Sequence, residues 1–421
     1  MLKPEKRLWI RLSSCYNCRF FSQFLLLLYI HFSFSYKLCC GQAAAFFTFK
    51  NYYGIIKQQI AWGKNMKITN EKTFWEKKEF ISFILSILIF FIHSYFAQDY
   101  GDNSLISVVN HKASYFFSYS LTRYAVPMFF ILSGISFFKD YDNKKYTAKI
   151  KNRIFTLVIP YLLWNTIWFL WEIFCSYSFM SKLSASEPYP LTLGSILKGI
   201  FFYGCNIPFW FIFDLIVFAF AAPLVFLIIR NKYVGILAVC GLSVASLFGL
   251  HLPSGIFYYP MSIVFYLIGA IIGYHFFEDA AKKSSKPLQI ASAIFLFAFI
   301  LALNIVPSKL HINNYLIQTV VYTLAAFSLW NITDIFIDRI KPRAIFKRSF
   351  AIYAMHLNVG MIILKIFSFC LPQSKWLEIP KFVLMIILTL IIINCVCAFC
   401  EKYLPKVYAL LMGNRNTLRK K

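Results

Sequence analysis

Charge is scarce in this chain, and acidic charge scarcer still. Of 421 residues, 14% are charged, with 17 Asp and Glu against 43 Lys and Arg. An average globular chain is about 25% charged. A soluble protein of this length would form two or three domains with polar surfaces, and this composition cannot cover them. The motifs that mark soluble enzymes are also missing: there is no GxxxxGK[ST], no GxGxxG, no HExxH and no nucleophile elbow around a serine. Pro- or Ser-rich linkers and internal repeats are absent, so the sequence reads as one domain. Strand-like alternation of apolar and polar residues is absent too, which excludes a β-barrel.

What remains is apolar and aromatic. Hydrophobic residues make up 59% and aromatic residues 20%, with a mean hydropathy of +0.63. The apolar residues fall in long runs that are hydrophobic on every face, as lipid-embedded helices are. About 20 residues cross one bilayer core, and segments of that kind lie near 80–97, 124–138, 154–176, 209–229, 233–250, 255–277, 287–306, 314–333, 350–369 and 382–400. The sequence therefore predicts an all-α integral membrane protein, a bundle of about ten transmembrane helices in contact with the lipid bilayer.

The net charge of +26 does not indicate a nucleic-acid partner, because the basic residues sit in short clusters between apolar runs. From Met66 onward, placing the first end in the cytoplasm puts 26 Lys and Arg in inside segments and seven in outside segments, with Lys365 within a span. That asymmetry is the positive-inside pattern. It predicts a multi-pass protein of a bacterial cytoplasmic (inner) membrane with both termini cytoplasmic. Residues 1–65 fall outside the pattern: they hold nine basic residues, one acid and four Cys. Met66 is the expected start of the working protein, with 66–421 as the membrane domain ending in a short basic tail. The rival is that Phe20 to Tyr36 is a further span or a cleaved signal. The 11 Cys imply no metal site, since the one CxxC, Cys15 and Cys18, has no second pair at ligand spacing.

Ionisable residues inside hydrocarbon are costly and are functional candidates by default. His93, in FFIHSYF near the outer end of the first run, has an imidazole suited to general-base work; the plainer reading is an interfacial His bonded to a carbonyl. Asp214, in PFWFIFDLIVF, needs a partner or a proton. Arg123 is its expected partner, as a packing ion pair or as part of a site. His356 lies near the inner end of the ninth run, at a depth a cytosolic donor could reach. Glu172, His275 and Lys365 complete the set, with interfacial or packing roles as alternatives. Arg153, next to a basic inner loop, has the planar donor fork that binds phosphates, or serves only as an anchor.

Six segments in order resemble the acyltransferase-3 family of membrane O-acyltransferases: FFIHS at 90–94, RYAVPMFFILSGISFF at 123–138, RIFTLVIPYLLWN at 153–165, PFWFIFDLIVF at 208–218, FYLIGAIIGYHF at 265–276 and SFAIYAMHLNVGM at 349–361. The similarity covers about residues 75–400. It implies transfer of an acyl group, usually acetyl from acetyl-CoA as co-substrate, to a sugar hydroxyl of an envelope polysaccharide or glycolipid, with no bound cofactor. By that resemblance His93, Asp214 and His356 are the catalytic candidates and Trp210 and Tyr353 binding ones, with Lys149, Lys151 and Arg153 left to hold the donor; Arg123, from its place near the outer face, is a further substrate-binding candidate. The chain departs from the family at Ser82, where members often have Arg, and at Thr156, where an RxxR would end. A transporter or lipid-linked sugar flippase built from the same spans is the alternative.

Overall fold

The computed structural model describes residues 69–177, 189–245, 259–305, 315–340 and 343–413. The chain divides into two units, Met1–Thr69 and Asn70–Lys421, and the described residues from Asn70 onward belong to the second. Residues 1–65 and the expected start at Met66 lie outside the described residues.

The described residues are helical and contain no strand. In chain order the principal helices are α1 (69–92), α2 (Leu105–Tyr115), α3 (Ala125–Phe138), α4 (Tyr146–Arg153), α5 (Ile159–Tyr177), α6 (Leu193–Phe201), α7 (Trp210–Phe220), α8 (Ala222–Ile229), α9 (Lys232–Ala245), α10 (Ser262–His275), α11 (Lys286–Ile305), α12 (Tyr315–Thr333), α13 (Ser349–Cys370) and α14 (Glu378–Tyr403). Among the described residues, six continuous helical stretches are long and apolar enough to cross a membrane, or seven if the bent pair α7–α8 is one span. The described residues do not confirm the expected count of about ten. The 14-residue helix α10 rises about 21 Å, short of a hydrocarbon core of about 30 Å.

The breaks have local causes. α7 and α8 meet at 69°, where Pro223 near the start of α8 lacks an N–H and its ring would clash with an upstream carbonyl. A π-helical turn at Ile154–Val158 precedes α5 and absorbs Pro160. A second π turn, Phe116–Ser120, joins α2 toward α3. α1 ends at 92 instead of the expected 97. Ser94 Oγ donates to Phe90 O at 2.7 Å, closing the helix C-terminus. The next free amides, Phe96 N and Ala97 N, turn to Ser114 Oγ at 2.9 and 3.3 Å.

The centre of the bundle is the crossing of α3 and α10. Gly269 and Gly273 of α10 lie against the backbone at Ile131 and Ile135 of α3, and Gly134 lies against Tyr266 and Ala270 in return. A Cβ at any of these positions would overlap backbone atoms, so glycine is required for the approach. In lipid, where apolar burial drives little helix association, such small-residue contacts supply the packing.

At one end of the bundle Lys77 of α1 and Asp334 after α12 form an ion pair of 2.7 Å, with each side chain only 2% exposed. Lys77 Nζ also stands 4.1 Å from the Trp330 ring centroid. Ser284 N and Oγ donate to the second carboxylate oxygen at 2.9 and 2.8 Å. His93 lies sixteen residues further along the chain, about 24 Å away at 1.5 Å per residue. Lys77 and His93 thus mark opposite ends of the bundle.

Candidate active site

His93 and His356 come together. Their rings lie 5.6 Å apart at 35°. His356 is completely buried, whereas His93, in the turn that ends α1, is exposed. The reason is register. Ser86 Oγ donates to Ser349 O at 3.0 Å, so α13 begins level with the last third of α1, and seven residues on from each contact stand the two histidines. His356 is therefore near the His93 end of the bundle and not near the opposite end, as its position within the ninth apolar run suggests.

The tautomer of His356 follows from its partners. Nδ1 lies 2.8 Å from Tyr353 O and 3.2 Å from Ile352 O. Carbonyls only accept, so Nδ1 carries the proton and Nε2 presents a lone pair. Nε2 has no hydrogen-bond partner among the described residues. A buried acceptor left open in this way is costly, and it can take a proton or a hydrogen bond from a substrate or from His93.

Tyr353, one turn below, fixes the floor. Its hydroxyl donates to Pro208 O, and its ring stacks on Phe209 at 5.6 Å and 6°. Trp168 Nε1 donates to Ala354 O at 3.0 Å, tying α5 to α13. Asp214 of α7 is buried near Tyr353. Both its oxygens lack a hydrogen bond of ordinary geometry, as does the hydroxyl of Ser262 beside it. The expected pairing with Arg123 does not form, since Arg123 stacks on Tyr119 instead, 3.5 Å from the ring centroid. Trp210 packs at 6.1 Å from Phe130 and 6.3 Å from Tyr259.

At the Lys77 end the basic candidates separate. Lys149 Nζ donates to Phe137 O at 2.6 Å and Lys139 O at 3.1 Å, which caps the C-terminus of α3 and commits that lysine to structure. Lys151 is exposed. Arg153 is half-buried, 5.3 Å from the Phe137 ring and close enough to Tyr266 to interact electrostatically; it pairs with no carboxylate among the described residues. Tyr266 stacks on Phe218 at 4.7 Å, and Phe218 is one turn along α7 from Asp214. Side chains thus succeed one another from Arg153 through Tyr266, Phe218, Asp214 and Tyr353 to the histidine pair. His275 is elsewhere, its Nε2 bonded to Ile229 O at 2.7 Å.

The loop after His93 is clasped to the turn before α14. Lys375 Nζ meets Asp102 Oδ2 at 2.5 Å and Ser104 Oγ at 3.0 Å. Ser107 Oγ donates to Asp102 Oδ1 at 2.6 Å, and Gln98 N donates to Glu378 Oε1 at 3.0 Å. The Lys375 hydrogen bond, aided by Ser107, holds the Asp102 carboxyl down at about 2, from an ordinary 3.8. A carboxyl with a lowered folded-state pKa stabilises the fold fully above its unfolded value, and that contribution is lost as pH falls through about 2. Amide exchange in 98–110, corrected for intrinsic rate, should therefore stay slow down to pH 4 and accelerate between pH 4 and 2. Asp102→Asn should exchange fast already at pH 7 and lose that pH dependence. Equal protection of the variant at pH 7 would show that the clasp holds nothing.

These features define a polytopic α-helical membrane protein with ionisable groups set in an apolar interior. A family model described as an acyltransferase domain, acyltransferase-3, matches residues 80–396, and the chain belongs to that family. It is a membrane acyltransferase. No curated protein and no solved structure matches it. Among the described residues no group of His, Cys, Asp and Glu could hold a metal ion.

Proposed function

We propose that this protein moves an acyl group, acetyl by preference, from cytosolic acyl-CoA to a hydroxyl of an envelope polysaccharide or glycolipid in a bacterial inner membrane. The observation that carries the reading is the His93–His356 pair, one ring exposed and one buried with an open Nε2. In this account the Lys77 end faces the cytoplasm, as the basic clusters favour, and both termini lie there. Arg153, with Lys151 beside it, receives the phosphates of the donor. The acyl arm extends past Tyr266 and Asp214 toward Tyr353.

The acceptor arrives from the His93 end. His93 takes the proton of the acceptor hydroxyl as its oxygen attacks the thioester carbonyl. The new C–O ester bond forms, the C–S bond breaks, and the proton passes to the departing CoA thiolate. His356, its Nδ1–H fixed on two carbonyls, accepts a hydrogen bond through Nε2 and orients the pair. A thioester is already activated, so two imidazoles suffice for the transfer. The test is incubation of the purified chain with labelled acetyl-CoA and envelope glycans. Label should enter the glycan, and Arg153→Gln should raise the KM for acetyl-CoA about tenfold or more, the loss of a charge-assisted contact worth about 1.5–3 kcal/mol, with kcat little changed. Glycan that stays unlabelled with intact protein would refute the reading.

A further inference from the structure

The proposed chemistry leaves Arg123 without a role, and its surroundings are specific. Arg123 lies between the π turn Phe116–Ser120 and α3. π turns occur frequently at functional sites. Its guanidinium covers the Tyr119 ring at 3.5 Å, and Tyr119 stacks on Tyr115 at 4.8 Å and 20°. Its charge also acts on the hydroxyls of Tyr259 and Tyr322. No carboxylate pairs with it among the described residues, and the side chain is exposed.

The depth of Arg123 places it on the His93 side. Phe117 packs on Phe91 at 5.7 Å, and Arg123 follows six residues later, about 9 Å inward. Phe138, at the far end of α3, is fifteen residues away, or about 22 Å. An aromatic wall connects the two sites. Tyr259 lies 6.3 Å from Trp210, Trp210 lies 6.4 Å from Phe211, and Phe211 lies 6.0 Å from Tyr353 beneath His356.

A guanidinium offers five donors in a planar fork that matches a carboxylate or a phosphate with two parallel hydrogen bonds. Tyrosine faces and edges offer an apolar platform with hydroxyl handles, which suits a sugar ring. A cation kept among aromatic rings without an acid is poised for an anion from outside. The geometry points to an anionic acceptor: the carbohydrate bears a carboxylate or a phosphate ester that Arg123 grips while the sugar packs along the tyrosines. This rests on the proposal that the His93 end receives a carbohydrate.

Binding without acetyl-CoA tests it. The full chain in nanodiscs is titrated with digalacturonate, with its carboxyl-reduced counterpart digalactose, with glucose 1-phosphate and with glucose, following tryptophan fluorescence. The protein should bind at least one anionic sugar tenfold or more tighter than its neutral counterpart, and added salt should erode the difference. Preference for digalacturonate alone identifies a sugar carboxylate, and preference for glucose 1-phosphate alone identifies a phosphate. Arg123→Gln should abolish the discrimination, and Arg123→Lys should keep part of it. If Arg123→Gln does not fold, the salt dependence and the anionic-to-neutral ratio of the unmodified chain decide. No preference for an anionic sugar, a preference insensitive to salt, or one that survives Arg123→Gln overturns the inference. Anionic-sugar binding without any acetyl transfer would instead refute the proposed function and leave this subsite standing.

Discussion

Replacing His93 with glutamine is expected to lower acyl transfer about 10²–10⁴-fold, the usual contribution of a general base. Glutamine keeps a hydrogen-bonding group of similar reach but cannot take a proton, so it separates chemistry from packing. His93→Ala should fall equally far. The exposed ring of His93 lies 5.6 Å from His356, placed to work with it. His111→Ala is the control, since His111 Nδ1 lies 3.1 Å from Tyr95 Oη on the loop side and should be dispensable. The assay is labelled acetyl transfer per mole of protein in the membrane fraction. Near-normal transfer by His93→Gln would reduce His93 to a hydrogen-bonding residue and move the search to His356 and Asp214.

Breaking the Lys77–Asp334 pair is expected to be the most destabilising change at the other end. Both side chains are 2% exposed, so removing one leaves a buried uncompensated charge, at a cost of about 3–5 kcal/mol. Lys77→Met and Asp334→Leu alone should each lower the unfolding midpoint and the yield of folded protein. The double variant should recover much of the loss, because replacing a whole buried pair with apolar residues is often neutral or stabilising. Unfolding in mild detergent, followed by thiol accessibility of buried Cys397, measures it. Additive losses in the double variant would mean that the two side chains act independently.

Much of the site was legible because hydrocarbon makes ionisable groups conspicuous. His93, Asp214 and His356 stand out from their apolar neighbours in the one-dimensional pattern, and helices follow from runs that are apolar on all faces. What the pattern does not carry is register between helices. That α13 starts level with Ser86 is set by contacts between distant segments, Ser86 Oγ to Ser349 O and Phe90 against His356 among them, and without them His356 reads as a residue of the opposite end. The end of α1 at 92 was equally hidden, because Ser94 and Ser114 capture the backbone groups and neither interrupts the hydrophobic run.

Pairing was the other loss. Lys77 reads as one more cytoplasmic anchor, and Asp334 follows a span without standing out, yet together they form the buried pair. Lys149 reads as a phosphate ligand but closes the end of α3. Arg123 and Asp214, opposite charges at similar sequence depth, each have other neighbours. Composition can locate charges along the chain, but only packing assigns their partners.

The proposed mechanism requires donor and acceptor to meet from opposite faces at the His93–His356 pair, and sided proteoliposomes test that most directly. The chain is reconstituted, the fraction with the Lys77 end outward is purified by labelling, and radiolabelled acetyl-CoA is supplied outside with glycan acceptor sealed inside. The mechanism predicts labelled glycan within the lumen, none with His93→Gln, and none when donor and acceptor are both confined to the lumen. Acetylation that requires donor and acceptor on the same side would contradict it.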